Sequence, residues 1–220
     1  MNTAILIPAR LASTRFPKKV LAELFGKPLI NHVYDKCIET DLPVYVVTDS
    51  EELKDYIPSG KVIVTGPAEN GTERCRQALQ YLNYSNFINV QGDMPDITVD
   101  IINTVHRLLK DNELATVYAE MDSKQRQDPN SVKLIHNGKY AHWFCRASLE
   151  YGDHHLGIYG YRNYTLNQYN SLQRFPEEDV EKLEQLRWLQ NSHKIAVAKV
   201  DFNGIEINTK EDLRQWHLEQ

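Results

Sequence analysis

The chain has 220 residues, 41% of them hydrophobic and 10% aromatic, which is enough to bury a full core in one domain or in one domain with a small lobe. A formal net charge of −5 argues against a general nucleic-acid surface, and no apolar run approaches the length of a membrane span. Three widely spaced cysteines (Cys37, Cys75 and Cys145) and eight histidines without metal-ligand spacing suggest no disulfide or zinc framework; buried thiols fit a reducing, cytoplasmic compartment.

The N-terminal "MNTAILIPAR" has no basic lead before its apolar run, so a core strand is expected over Thr3 to Ile7 and not a signal peptide. A cationic loop follows, "IPARLASTRFPKK", with Arg10, Arg15, Lys18 and Lys19 and no acid before Glu23. "PLINHVYDKCIE" places Leu29, Ile30, Val33, Tyr34, Cys37 and Ile38 at helical spacing behind Pro28. "PVYVVTD" is the next strand, with Asp49 and Glu52 in capping-box register for a short helix. "KVIVT" is a third strand, "NGTERCRQALQYL" a helix burying Cys75, Ala78, Leu79 and Leu82, and "FINVQGD" a fourth strand. "DIINTVHRLL" closes this half with another amphipathic helix. Alternating strands and helices with near-continuous apolar strands indicate a parallel sheet covered on both faces.

The pattern then changes. "ELATVYAE", "SVKLIH", "KYAHWFCR" and "LGIYGYR" predict strands with little helix between them. "PEEDVEKLEQLRWLQ" predicts one helix carrying Val180, Leu183, Leu186 and Leu189; "KIAVAKV" a late strand; and "NTKEDLRQWHLEQ" a terminal helix capped by Thr209 or Asn208. The expected fold class is α/β: a mainly parallel, doubly wound nucleotide-binding sheet, with a smaller mixed-sheet lobe over about residues 120–194.

Ligands of such sheets bind beyond the carboxyl ends of the strands. Three polar clusters lie there: the cationic loop, "ENGTER" and "QGDMPD". The cations suit a triphosphate or are simply a solvated basic loop. Neither glycine-rich phosphate-binding motif is present, so side chains would have to do that work. Asp93 after the fourth strand suits Mg²⁺, or is a turn aspartate before Pro95; Asn70 and Glu73 form a capping-box pattern that a base could also approach.

In their order along the chain, "IPARLASTRFPKK", "NGTER", "NVQGDMP", "DPNSVKLI", "FCRAS", "HLGIYGY", "LEQLR" and "NTKEDL" resemble the 3-deoxy-manno-octulosonate (Kdo) cytidylyltransferases, which belong with the nucleotide-diphospho-sugar transferases. The resemblance implies a single nucleotidyltransferase domain, 1–220, whose 120–194 lobe binds sugar and dimerises. It implies CTP and Kdo as partners, Mg²⁺ as cofactor, a homodimer, and a product that feeds lipopolysaccharide or surface-polysaccharide synthesis. Arg10, Lys19 and Asp93 are then catalytic. Arg10, Ser13, Arg15, Lys19, Asn70, Gly71, Thr72, Gln91 and Asp93 hold nucleotide, while Gln91, Arg146, His155, Tyr159, Glu184 and Gln185 hold the sugar acid. On residues alone, His155 and Tyr159 are strand packing, Arg146 a strand-end salt bridge, and Glu184 and Gln185 solvated mid-helix positions.

This chain departs from the family pattern in three places. Met94 follows Asp93 where relatives have glutamate, and Asn208 stands in place of a second metal-binding aspartate. Glu206, two residues earlier and expected on the same strand face, is the alternative metal carboxylate. The stretch from Ala147 to His154 is short where relatives carry part of their dimer surface. Two further functions are carried forward: CMP activation of amino-Kdo or a nonulosonate, and CTP binding without turnover.

Overall fold

The computed structural model describes residues 2–12 and 16–219. The strands are β1 (Thr3–Ala9), β2 (Glu23–Leu24), β3 (Lys27–Pro28), β4 (Val44–Thr48), β5 (Val62–Val64), β6 (Asn86–Asn89), β7 (Leu114–Ala119), β8 (Lys133–His136), β9 (Ala141–Cys145), β10 (Asp153–Arg162) and β11 (Ala196–Lys199). The helices are α1 (Leu29–Ile38), α2 (Gly71–Ala78), α3 (Val99–Leu108), α4 (Ser123–Gln127), α5 (Asn163–Gln168), α6 (Pro176–Glu181), α7 (Leu186–Gln190) and α8 (Lys210–Glu219).

Among the described residues, nine strands form one sheet in the order β11-β7-β10-β6-β1-β4-β5, with β8 and β9 attached beside β10; β2 and β3 make a separate hairpin. The β1, β4, β5 and β6 pairings are parallel, as is β11 with β7; β10 runs antiparallel to both β6 and β7. The mixed character expected of the later segment therefore enters the central sheet through β7 and β10, and β8 and β9 extend it.

Strand periodicity sorts the core. Along β1, Ile5 and Ile7 face a cluster with Ile30, Val33 and Cys37 of α1 and Ile101, Ile102 and Val105 of α3. Ala4 and Leu6 face the opposite cluster, with Cys75 and Ala78 of α2, Leu166 of α5 and Leu186 and Trp188 of α7. This is the doubly wound arrangement that the alternating pattern predicts. Helix α3 packs directly on β10 because Gly160 has no side chain; a Cβ there would meet Leu109 and Val105 at 2.8 Å. A third cluster, Phe16, Leu24, Leu29, Ile207 and Trp216, seats α8 against the hairpin and the start of α1.

Several local expectations are corrected. Ser50, not Asp49, caps the short element after β4, accepting from Glu52 N at 3.2 Å, and that element is a 3-10 turn over Glu51–Asp55. Helices α4 and α5, absent from the expected pattern, interrupt the strand-rich half. The helix expected over 176–190 is broken: α6 ends at Lys182, whose φ of 55° is left-handed, and α7 starts at Leu186. Val180, expected in the core, is 80% exposed. Thr209 caps α8 as one of the two expected residues, accepting from Asp212 N at 3.2 Å while Asp212 Oδ2 accepts from Thr209 N at 2.7 Å. The three cysteines are buried and free, with Cys145 on β9. Among the described residues, no helix is long and apolar enough to cross a membrane.

Candidate active site

Two adjoining cavities open at the carboxyl ends of β1 and β6. The larger, about 910 Å³, is lined by Arg10, Lys19, Asn70, Gly71, Arg74, Gln91, Asp93 and Asn208 among others. The smaller, about 380 Å³, is lined by His155, Gly157, Tyr159, Leu183, Gln185 and Glu206 among others. Asn70, Gly71, Gln91, Arg146 and Glu184 border both.

The larger cavity gathers the loops expected to hold phosphate. Arg10 follows β1 directly and is exposed. Lys19 opens a 3-10 turn, and its Nζ lies 2.6 Å from Asp93 Oδ2 and 3.4 Å from Asn208 Oδ1. Ser13 and Arg15 lie outside the described residues. Lys18 has a left-handed φ of 54° and its Nζ lies 2.7 Å from Glu52, so the third cation of the loop serves a surface ion pair. The sequence reading missed Arg74, the arginine of "NGTER". It is buried in this wall and donates to Asp49 Oδ2 at 2.9 Å and to Thr65 Oγ1 at 3.1 Å.

Asn70 caps α2, accepting from Glu73 N at 2.8 Å. The reciprocal half of the expected box is displaced by one residue: Glu73 Oε2 accepts from Glu69 N at 2.7 Å. Gly71 approaches both Pro8 and Gln91; a Cβ there would sit 3.4 Å from Pro8 Cγ. Thr72, expected to bind nucleotide, is instead buried beneath the turn, where its N–H and hydroxyl both donate to Glu184 Oε1, at 3.1 and 2.7 Å.

The smaller cavity takes one face of β10, since His155, Gly157 and Tyr159 alternate along the strand. His155 is buried, its Nε2 is 3.2 Å from Thr116 Oγ1, and its ring lies against Phe144 and Tyr159. Burial lowers its pKa to about 3, so it enters the cavity as a neutral imidazole. Glu184 and Gln185 are not solvated helix positions: they fall in the break between α6 and α7, where Gln185 is 3% exposed. Burial also pushes the Glu184 carboxyl above the usual carboxylate range, against the hydrogen bonds from Thr72.

Arg146 sits just past β9 on the border of both cavities. Its guanidinium is held by carbonyls. Nε donates to Glu181 O at 3.0 Å, and Nη1 to Pro129 O and Asn130 O at 3.1 and 3.2 Å.

The segment 201–208 is not a strand. It is strapped across the site by Ile205 N donating to Asp96 Oδ2 and Ile207 N to Asp93 O, both at 2.9 Å. Without a strand there is no strand face to share, yet Glu206 and Asn208 still meet: their side chains are hydrogen-bonded, with Asn208 lining the larger cavity and Glu206 the smaller. The Glu206 carboxyl is raised to about 7, first by burial and then by the charge of Asp93. Asp93 and Asn208 converge on one cation, the Lys19 ammonium, and such a pair of hard oxygen donors fits Mg²⁺. Among the described residues there is no group of three or more His, Cys, Asp or Glu placed to hold a metal by themselves.

This arrangement has counterparts in known proteins. The 8-amino-3,8-dideoxy-manno-octulosonate cytidylyltransferase of Shewanella amazonensis is 40% identical over 237 aligned positions, covering 98% of this chain and 97% of its own. The protein of the same name from Shewanella frigidimarina is 38% identical, with 99% and 98% covered. The structure of CMP:2-keto-3-deoxy-manno-octonic acid synthetase complexed with CTP superposes with a TM-score of 0.92 at 28% identity, over 100% of this chain and 98% of the other. The 4-diphosphocytidyl-2C-methyl-D-erythritol synthase of Anaerococcus prevotii shares the fold alone, with a TM-score of 0.67 at 14% identity and 100% and 99% covered. The cytidylyltransferase family profile matches residues 4–195, which run from β1 to the start of β11. With a doubly wound sheet, a cationic loop after its first strand and full-length relatives of this kind, the chain is a nucleotidyltransferase that belongs to the cytidylyltransferase family.

Proposed function

We propose that this enzyme transfers CMP from CTP to 8-amino-3,8-dideoxy-manno-octulosonate, releasing pyrophosphate. The observation that carries this reading is the 40% identity, over nearly the whole of both chains, to relatives named for that reaction. Kdo, the first expectation from the sequence, is the second reading; the structure superposing with a TM-score of 0.92 favours it.

The geometry supports a division of labour. The larger cavity takes CTP, its triphosphate against Arg10 and Lys19. The smaller cavity takes the sugar acid, its carboxylate against Arg146. The two share a border, which brings the anomeric hydroxyl to the α-phosphorus for in-line attack. The P–O bond to the β-phosphate breaks, the electron pair leaves on pyrophosphate, and the proton of the attacking hydroxyl is released to solvent. Lys19 and Arg10 stabilise the charge that accumulates on the leaving group, and preorganised charge of this kind is usually the largest catalytic contribution. Asp93 and Asn208 would hold Mg²⁺. When bound, that ion supplies charge neutralisation across the phosphates and a lower pKa for the attacking hydroxyl.

The test is pyrophosphate release from CTP and Mg²⁺ with Kdo, with its 8-amino analogue, with a nonulosonate, and with no acceptor. The highest kcat/KM is expected with the 8-amino sugar. A higher value with Kdo or the nonulosonate would transfer the assignment to that sugar, and CTP binding without release from any of them would make the protein a nucleotide-binding homologue.

A further inference from the structure

Of the motif "LEQLR", Leu183, Glu184 and Gln185 line the smaller cavity. Its arginine, Arg187, is 6% exposed and lines neither cavity itself, but lies behind Glu178 in the wall of the smaller one. It makes a two-point ion pair with Glu178, which is 4% exposed: Nε donates to Oε2 at 2.8 Å and Nη2 to Oε1 at 2.6 Å. The same guanidinium lies 4.2 Å over the ring of Tyr169, which is fully buried. The Tyr169 hydroxyl accepts from Asn70 Nδ2 at 2.9 Å and donates to Glu178 Oε1 and to Glu184 O, both at 3.4 Å.

Asn70 is thereby held at both ends. Its Oδ1 caps α2 and its Nδ2 is anchored on Tyr169. The Asn70 amide borders both cavities, in the turn that faces the nucleotide under the proposed function. Buried polar chains of this kind fix one geometry when every member is satisfied, and an ionic pair at the far end makes that geometry costly to leave.

We propose that Arg187 and Tyr169, joined through Glu178 of the smaller cavity's wall, are positioning residues for CTP: they set the Asn70 side chain, and with it the entrance to α2, without lining either cavity. The inference rests on the reading of the larger cavity as the CTP site. It gives the arginine of "LEQLR" a task at the nucleotide, although that motif lies in the segment assigned to the sugar.

Tyr169→Phe is the sharpest probe, because it keeps the ring, the core volume and the contact with Arg187 while removing the hydroxyl. The KM for CTP is expected to rise about fivefold, as for loss of one net hydrogen bond, with kcat and the KM for the sugar acid changed by less than about twofold. A second variant, Arg187→Met combined with Glu178→Leu, replaces the ion pair with apolar side chains of similar size and avoids stranding a charge. It should melt near the wild-type temperature and still show the raised KM for CTP. An unchanged KM for CTP in both variants, or an equal rise for both substrates in Tyr169→Phe, overturns the proposal and leaves the network as core structure. Calorimetry of CTP on the wild-type protein separates the two levels: no binding there would overturn the functional reading, and this inference with it.

Discussion

Lys133 donates its ammonium to the carbonyl of Arg146 at 3.1 Å, so a buried cation holds the backbone of a half-buried one. Lys133 is fully buried, with no carboxylate in its hydrogen-bond shell; its other acceptors are the carbonyls of Asp128, at 2.5 Å, and Ser131, at 2.9 Å. Arg146 in turn donates to the carbonyls of Pro129 and Asn130. Two side chains thus grip four successive carbonyls of one loop. Lys133→Met removes three buried hydrogen bonds and is expected to cost about 2–4 kcal/mol of stability by urea unfolding. A loss under ~0.5 kcal/mol would mean that the three carbonyls find other partners.

Arg146→Ala is expected to weaken the sugar acid by about 2–3 kcal/mol, as for loss of a charge-assisted contact in a partly desolvated site, and CTP far less. Because Arg146 also steadies the 129–130 loop, Arg146→Lys is the control: it keeps the charge and loses the planar fork. Separate titrations of the two substrates decide the matter. Equal weakening of both would reduce Arg146 to a loop anchor.

Lys19→Ala should lower kcat by about 10²–10³ with the fold intact, the usual cost of removing a preorganised charge from a transition state. Pyrophosphate release and circular dichroism on the same sample check both halves. Wild-type turnover would remove Lys19 from the chemistry.

The Mg²⁺ requirement tests the neighbouring acceptors. Asn208 faces the Lys19 ammonium with a neutral oxygen, so Asn208→Asp adds a full charge at that position. The Mg²⁺ concentration for half-maximal rate should fall several-fold, since the cation gains a direct electrostatic partner. Glu206→Gln is the counterpart. Glu206 borders the smaller cavity and is hydrogen-bonded to Asn208, so as a support of that residue its replacement should raise the Mg²⁺ requirement only slightly; a sharp rise would show that the second metal carboxylate has moved along the segment.

His155 supplies a pH signature. Its folded pKa of about 3 lies below the ordinary 6.5, so between those values the unfolded chain binds a proton that the folded protein does not. Stability therefore rises with pH across that window and is lost as pH falls through it, by about 2 kcal/mol from this residue near pH 5. Urea unfolding near pH 5 and near pH 7 should show a smaller difference in His155→Gln. An identical difference in both proteins would show that the imidazole stays accessible to protons.

The first half of the fold was legible because its signals are local. Apolar runs of strand length alternate with faces such as Ile101, Ile102 and Val105, and the right-handed crossover rule leaves few ways to assemble them. The position of β10 between β6 and β7 was not legible, because strand order depends on pairings between distant residues such as Tyr159 with Asn89 and with Thr116. The cavity walls followed the same division. Lys19, Asp93 and Gln91 sit at strand ends or in the adjoining loop and were found. The inward turn of Thr72 was not legible, because its motif marks a helix start without telling which side chains turn inward. Arg74, Lys133 and Arg187 were missed because a buried cation is identified by its partners, Asp49, three backbone carbonyls and Glu178, which no side-chain pattern along the sequence announces.

The left-handed residue Lys182 has a consequence for redesign. In an unbroken helix Glu184 would lie one turn beyond Val180 and share its face, which is solvent. The interruption turns a solvent position into a cavity wall, so the carboxylate owes its place to a defect in helix geometry. A consensus or propensity-driven substitution campaign would score residues 181–185 as an easy gain, because straightening them improves local helix formation. Such a protein would be more helical and would withdraw Glu184 from Thr72, trading the junction between the two cavities for one additional turn of regular structure.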